Sequence, residues 1–316
     1  MNAIGGYFEL ELRKSNHYHK EALKLNTARI CFEYVLRARH YRKVFLPYYT
    51  CDVMLEPINK LGLDYGFYRI NEFLEPVDSP ILKADEAFLY TNYYGLKQQC
   101  VERLASKYGK QLIVDNAQAF YSVPLQGIDT FYSARKFFGV ADGAYLYTDN
   151  KLEQKFQQDV SYGRMSHLLK RVDIGAEAGY KDFRENDDSL CNQDIKRMSK
   201  LTESILSSID YKAINLKRRQ NYAFLNDVLG ESNLIHLGMD EDAVPLVYPY
   251  LTKDSSLKQK LIDNKIFVAT YWPNVKEWTT VEMLERDLFE CLIPIPCDQR
   301  YDKQDMDRII NLFVTL

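Results

Sequence analysis

Between residues 26 and 143, short apolar runs alternate with stretches whose apolar positions recur every three or four residues. Runs of the first kind are strands and stretches of the second are helices, and their alternation predicts a parallel sheet covered by helices. A helical pattern fills 26–39. Strands are predicted at 44–47 and 63–68 with a helix over 52–61 between them, then a strand at 86–92 and a helix over 101–108. QLIVD at 111–115 is apolar at successive positions, as a central strand buried on both faces requires. Two further strands are predicted at 128–133 and 143–148.

Beyond residue 150 the pattern changes. Positions 151–227 are charged and helical in spacing, which predicts a helical connection leaving the sheet. Strands are predicted again at 245–251 and 265–271, with helices over 255–263 and 303–313. The expected class is therefore α/β. Residues 1–210 form a large domain with an N-terminal arm, a mostly parallel sheet and flanking helices, and residues 211–316 form a small α+β domain.

Composition narrows the candidates. With 316 residues, 46% of them hydrophobic, the chain can fill about two domains. A formal charge of −3 without a basic stripe argues against nucleic acid as a partner. The first residues lack a basic start followed by an apolar run, and no later segment is apolar enough to span a bilayer, so a cytoplasmic protein with no membrane partner is expected. Six cysteines without CxxC spacing read as reduced, mostly buried thiols. His17 and His19 have no neighbouring ligands at metal-binding spacing, so they read as an exposed polar pair and no metal is expected.

In an open α/β sheet, ligands bind beyond the carboxyl ends of the strands. Asp115 ends the run QLIVD, with Gln118 three residues on, and a buried carboxylate there would raise the pKa of a cationic heterocycle. The competing reading is a turn or helix cap. Lys136 lies between two predicted strands beside Phe137, Phe138 and Val140, neighbours that would desolvate its amine and make it nucleophilic. Most lysines are simply surface charges. NTAR at 26–29 opens the first helix, where free amides, the Thr27 hydroxyl and the Arg29 guanidinium could cradle a phosphate, or Thr27 could serve only as the cap. PYYTC at 47–51 could set aromatic faces over a flat ring, though in a chain with 24 tyrosines core packing is the simpler reading.

Taken in order, NTARICFEYVL, LPYYTCDVML, VDNAQAFYS, the lysine segment through DGAYLYT, RMSKLTESIL and LIPIPCDQRYDKQDM resemble the sugar-nucleotide aminotransferases of DegT/StrS type. The resemblance implies the aspartate-aminotransferase fold (fold type I) and pyridoxal 5'-phosphate (PLP) as cofactor, bound as a Schiff base on Lys136. It implies that Asp115 pairs with the pyridine nitrogen and that Gln118 contacts the ring hydroxyl. It likewise implies that Ser133 and the turn Thr27, Ala28 and Arg29 bind phosphate. Cys51 stands where relatives stack an aromatic ring, which passes that role to Tyr49, Tyr93 or Tyr94, and Ile195 stands where relatives carry an asparagine that reaches the partner subunit's site. A homodimer is implied, with an amino donor such as glutamate and a nucleotide-linked keto-sugar as substrates. Two alternatives are a PLP-dependent deoxysugar dehydratase, whose histidine at the lysine position is not found here, and a non-catalytic homologue.

Overall fold

The computed structural model describes residues 4–314. Seven strands form the main sheet: β1 (Leu23–Leu25), β2 (Lys43–Pro47), β3 (Asp64–Tyr68), β4 (Glu86–Thr91), β5 (Leu112–Asn116), β6 (Asp129–Ser133) and β7 (Ala144–Tyr147). Their order across the sheet is β1-β7-β6-β5-β4-β2-β3. Strands β3, β2, β4, β5 and β6 are mutually parallel, while β7 runs antiparallel to β6 and β1 antiparallel to β7. Every residue of β4, β5 and β6 is buried, as expected for strands covered on both faces.

Three helices connect these strands: α1 (Ala28–Arg39), α2 (Leu55–Leu61) and α3 (Gln98–Tyr108). The Thr27 hydroxyl caps α1 by accepting from Ile30 N at 3.3 Å, and Arg37 and Arg39 lie at its carbonyl end, where cations are favoured. After β7 come α4 (Ser166–Asp173), α5 (Ala176–Ser189), α6 (Lys200–Ser207) and the long α7 (Tyr211–Leu229). A second, two-stranded sheet pairs β8 (Tyr248–Leu251) with β9 (Leu292–Ile295), accompanied by α8 (Leu257–Asp263), α9 (Val275–Trp278), α10 (Leu284–Cys291) and α11 (Lys303–Val314). One apolar cluster runs from Tyr68, Phe88 and Tyr90 of the large sheet to Tyr222, Leu225 and Tyr248, so the two sheets share a core.

The strand expected at 265–271 is not formed. Its alternation is real, with Ile266 buried and Phe267 half exposed, but the neighbouring β8 takes β9 as its partner, pairing Tyr248 with Ile295. A period-two pattern reports which side faces the core, and says nothing about whether an unpaired strand lies alongside. The helical connection expected over 151–227 begins later, at Ser166. His17 and His19 are not an exposed pair: His17 Nδ1 lies 2.6 Å from the Tyr145 hydroxyl, and His19 is buried against Phe120 O (2.8 Å) and the Tyr147 hydroxyl. Burial pushes the His19 imidazole down to about 4, which keeps it neutral.

Two motifs of the sequence meet in a buried polar knot. Asp142 accepts hydrogen bonds from Ser199 N, Ser199 Oγ and Thr202 Oγ1, which fastens the start of α6 to the turn before β7. Gly95 fills a comparable structural need. Its φ is +76°, and a Cβ there would lie 2.7 Å from the carbonyl oxygen of Val244. Gly95→Ala combines a left-handed backbone with a backbone clash, and is expected to cost at least about 2 kcal/mol. Urea unfolding of the variant checks this, and an unchanged midpoint would contradict it.

Candidate active site

Four strand ends and one helix start surround a single cavity of about 170 Å³. Because β2, β4, β5 and β6 run parallel, Thr50 and Cys51, Thr91, Asp115 and Ser133 all emerge at the same edge of the sheet. Thr27, Ala28 and Arg29 enter from the amino end of α1, Ala117 and Gln118 from the turn after β5, and Arg135 and Lys136 from the short 3₁₀ turn Ala134–Lys136 after β6. Trp272, from the C-terminal part, completes the wall.

Asp115 is fully enclosed. Burial pushes its carboxyl up to about 6, against the Ala117 N–H at 2.8 Å and the positive charge of Lys136, both of which favour the anion. The same lysine charge acts on Cys51, whose thiol burial raises to about 11. Lys136 therefore bears electrostatically on both walls of the cavity. Its side chain is nevertheless exposed, with Nζ 5.8 Å from the centre of the Tyr271 ring. Phe137, Phe138 and Val140, expected from sequence to enclose the amine, turn into a core with Phe120 and Leu206. Instead they anchor the lysine turn. Gln299 Nε2 donates to Phe137 O at 2.7 Å, Gln299 Oε1 accepts from Arg218 Nε at 2.9 Å, and the Arg218 guanidinium lies 4.5 Å from the Phe137 ring centre.

Gln118 Oε1 accepts from Tyr94 N at 2.9 Å, which fixes its side chain and leaves its Nε2 donor buried without a partner. Thr91 Oγ1 is likewise buried and unpartnered. Two unsatisfied polar atoms in one buried cavity are the mark of a ligand's place, since each costs free energy until something pairs with it. Their chemistry fits PLP: a donor for a ring hydroxyl at Gln118, a carboxylate for a ring nitrogen at Asp115, an amine at Lys136, and helix-start amides with the Ser133 hydroxyl for a phosphate.

Several residues stand differently from expectation. Tyr49 does not line the cavity: it is fully buried, with its hydroxyl 3.2 Å from that of Tyr94 and its ring edge-on to Trp272. Tyr93 and Tyr94 are buried in the same core, and Ile195 packs in the cluster beneath α1. The Arg29 guanidinium donates from Nη1 to Glu56 Oε2 at 2.6 Å and to Cys191 Sγ at 3.3 Å, partners outside the expected phosphate turn. Arg135 and Trp272 were missed. Arg135 could have been found from its place beside Lys136, whereas Trp272 follows a segment misread as a strand and carries no local signal.

No known family pattern matches the chain, and no curated protein matches it. Solved structures match its shape. CalS13, a sugar aminotransferase from Micromonospora echinospora, superposes with a TM-score of 0.61 at 17% identity, over 93% of this chain and 87% of that one. A DegT DnrJ EryC1 StrS aminotransferase from Brucella abortus gives 0.63 at 13% identity over 93% and 85%. NtdA from Bacillus subtilis, with its bound cofactor PMP, gives 0.63 at 14% identity over 93% and 72%. The chain has the fold of these enzymes.

Proposed function

We propose that this chain is a PLP-dependent aminotransferase that moves an amino group from an amino acid, glutamate in the first instance, to a nucleotide-linked keto-sugar. The observation that carries the reading is the meeting of Asp115, Gln118, Ser133, the Thr27–Ala28 helix start and Lys136 around one cavity. PLP, when bound, supplies an electron sink that weakens the α-C–H bond of an amino donor. The chain's own residues do the rest. Asp115 would hold a proton on the ring nitrogen, Gln118 Nε2 would donate to the ring hydroxyl, and Ser133 with the amides of Ala28 and Arg29 would bind the phosphate. Lys136 Nζ would hold the cofactor covalently and, once free, would move the proton at the substrate carbon as base and acid.

The substrate class is supported by a second cleft that shares Arg135 and Lys136 with the cavity. It measures about 550 Å³ and offers Arg171, Arg300, Tyr180 and Phe183, cations and rings suited to a phosphorylated, base-bearing substrate. A homodimer is part of the proposal. Leu169, Val172, Ile174 and Tyr180 on and around α4 and α5 are each more than 60% exposed, as are Ile4, Tyr7 and Phe8, more apolar surface than an isolated subunit should show water. Residues 1–210 would act as the cofactor domain and 211–316 as the small domain, since the seven-stranded sheet ends at Tyr147 and the two-stranded sheet begins at Tyr248. Among the described residues no helix is long and apolar enough to cross a membrane. A cytoplasmic setting is proposed from the six free thiols.

Incubation with PLP, glutamate and a panel of nucleotide-linked keto-sugars is expected to yield an amino-sugar and 2-oxoglutarate in equal amounts, read by mass. A protein that binds PLP but yields no amine with any donor would contradict the reaction assigned.

A further inference from the structure

Arg135 lines the cavity beside Arg29 and Lys136, and its guanidinium is largely uncommitted. Its side chain is 17% exposed, and among the described residues its guanidinium makes one hydrogen bond, from Nη1 to Asp187 Oδ1 at 3.0 Å. Asp187, on α5, is 40% exposed, so water weakens its hold. Burial lowers the basicity of Arg135, Asp187 works against that, and the charges of Arg29 and Arg164 lower it further. Arg29 pairs with Glu56 at 2.6 Å and Arg164 with Asp159 at 2.7 Å, carboxylates only 15% and 8% exposed, whereas Arg135 has the solvated Asp187 at 3.0 Å, which makes Arg135 the least firmly held of the three.

The start of α1 lies in the same wall. Thr27 caps Ile30 N, so the amides of Ala28 and Arg29 stay outside the helix's own hydrogen bonds. Independent evidence that a ligand belongs here comes from Thr91 Oγ1 and Gln118 Nε2, both buried in the cavity without partners.

We propose that Arg135, steadied by Asp187, is the guanidinium that clamps the cofactor's phosphate against the α1 amides and Ser133. This rests on the PLP reading above and assigns the charge-pairing that Arg29 does not supply. A planar guanidinium matches two phosphate oxygens at once, and pairing a dianion there would relieve the repulsion among the three arginines. It also couples anchor and chemistry, because Arg135 directly precedes Lys136 in the chain.

The test compares two aldehydes that differ only in the phosphate. Full-length wild type, Arg135→Ala and Arg135→Lys are titrated with PLP and with pyridoxal, following the visible band formed with Lys136. The expected result is PLP affinity weakened about 10- to 100-fold by Arg135→Ala, the range for one charge-assisted pairing, with pyridoxal affinity unchanged. Arg135→Lys keeps the charge without the fork and should fall between. Inorganic phosphate should compete with PLP in the wild type and much less in Arg135→Ala. If Arg135→Ala does not fold, the lysine variant and phosphate competition decide. Equal loss of PLP and pyridoxal, or PLP affinity as in the wild type, overturns the assignment. A wild type that takes up neither aldehyde overturns the cofactor reading itself.

Discussion

Lys136→Ala is expected to abolish covalent capture of PLP and to lower amino transfer by at least about a thousandfold, while leaving the fold intact. The two effects separate because Lys136 is exposed, with its Nζ 5.8 Å from the Tyr271 ring centre, so truncation should change stability by no more than about 0.5 kcal/mol. Lys136→Arg sharpens the result, since it keeps the positive charge near Asp115 and Cys51 but offers no nucleophilic amine. Both variants should remain colourless after PLP treatment and melt with the wild type. Transfer activity surviving in either would move the chemistry to another group.

Asp115→Asn should have opposite effects on stability and on catalysis. The folded carboxyl titrates at about 6 against an ordinary value of 3.8. A folded value above the unfolded one means that the fold penalises the anion: the penalty is absent below the lower value, grows between the two, and is complete above about 6. At pH 7 the cofactor-free protein should therefore gain on the order of 3 kcal/mol from Asp115→Asn, and the gain should vanish as pH falls below about 4. Activity should move the other way. A neutral amide does not keep the ring nitrogen cationic, and losing an interaction of that size lowers transfer by about a hundredfold or more. Melting of the cofactor-free forms across that pH range, paired with transfer rates at pH 7, checks both halves. A variant less stable than wild type at pH 7 would mean that Asp115 is held by something other than the desolvated cavity.

Much of this site was legible in the chain because strand order converts sequence into place. Once QLIVD is read as a buried parallel strand, Asp115 must emerge at the ligand edge, and the run 128–133 brings Ser133 and then Lys136 to the same edge one strand over. The helix start at Thr27 is equally local, a cap residue ahead of an amphipathic pattern. What was not legible depended on which way side chains turn. Arg29 sits where expected, yet Glu56 and Cys191 draw its guanidinium away. Tyr49 follows the right strand, yet it joins Tyr93, Tyr94 and Trp272 in packed aromatic core, so the cavity wall nearby is formed by Cys51 and Trp272. Phe137, Phe138 and Val140 follow Lys136 in sequence, yet they pack into the core with Phe120 while the lysine stays exposed. Trp272 arrives from more than 130 positions away in the chain, through a segment whose alternation imitates a strand.

Borohydride reduction of PLP-treated protein followed by peptide mass mapping tests the chemistry most directly. One phosphopyridoxyl group should be found per chain, on the peptide containing Lys136, and none on Lys136→Ala. Label spread over surface lysines, or held at a single different lysine, would contradict the site.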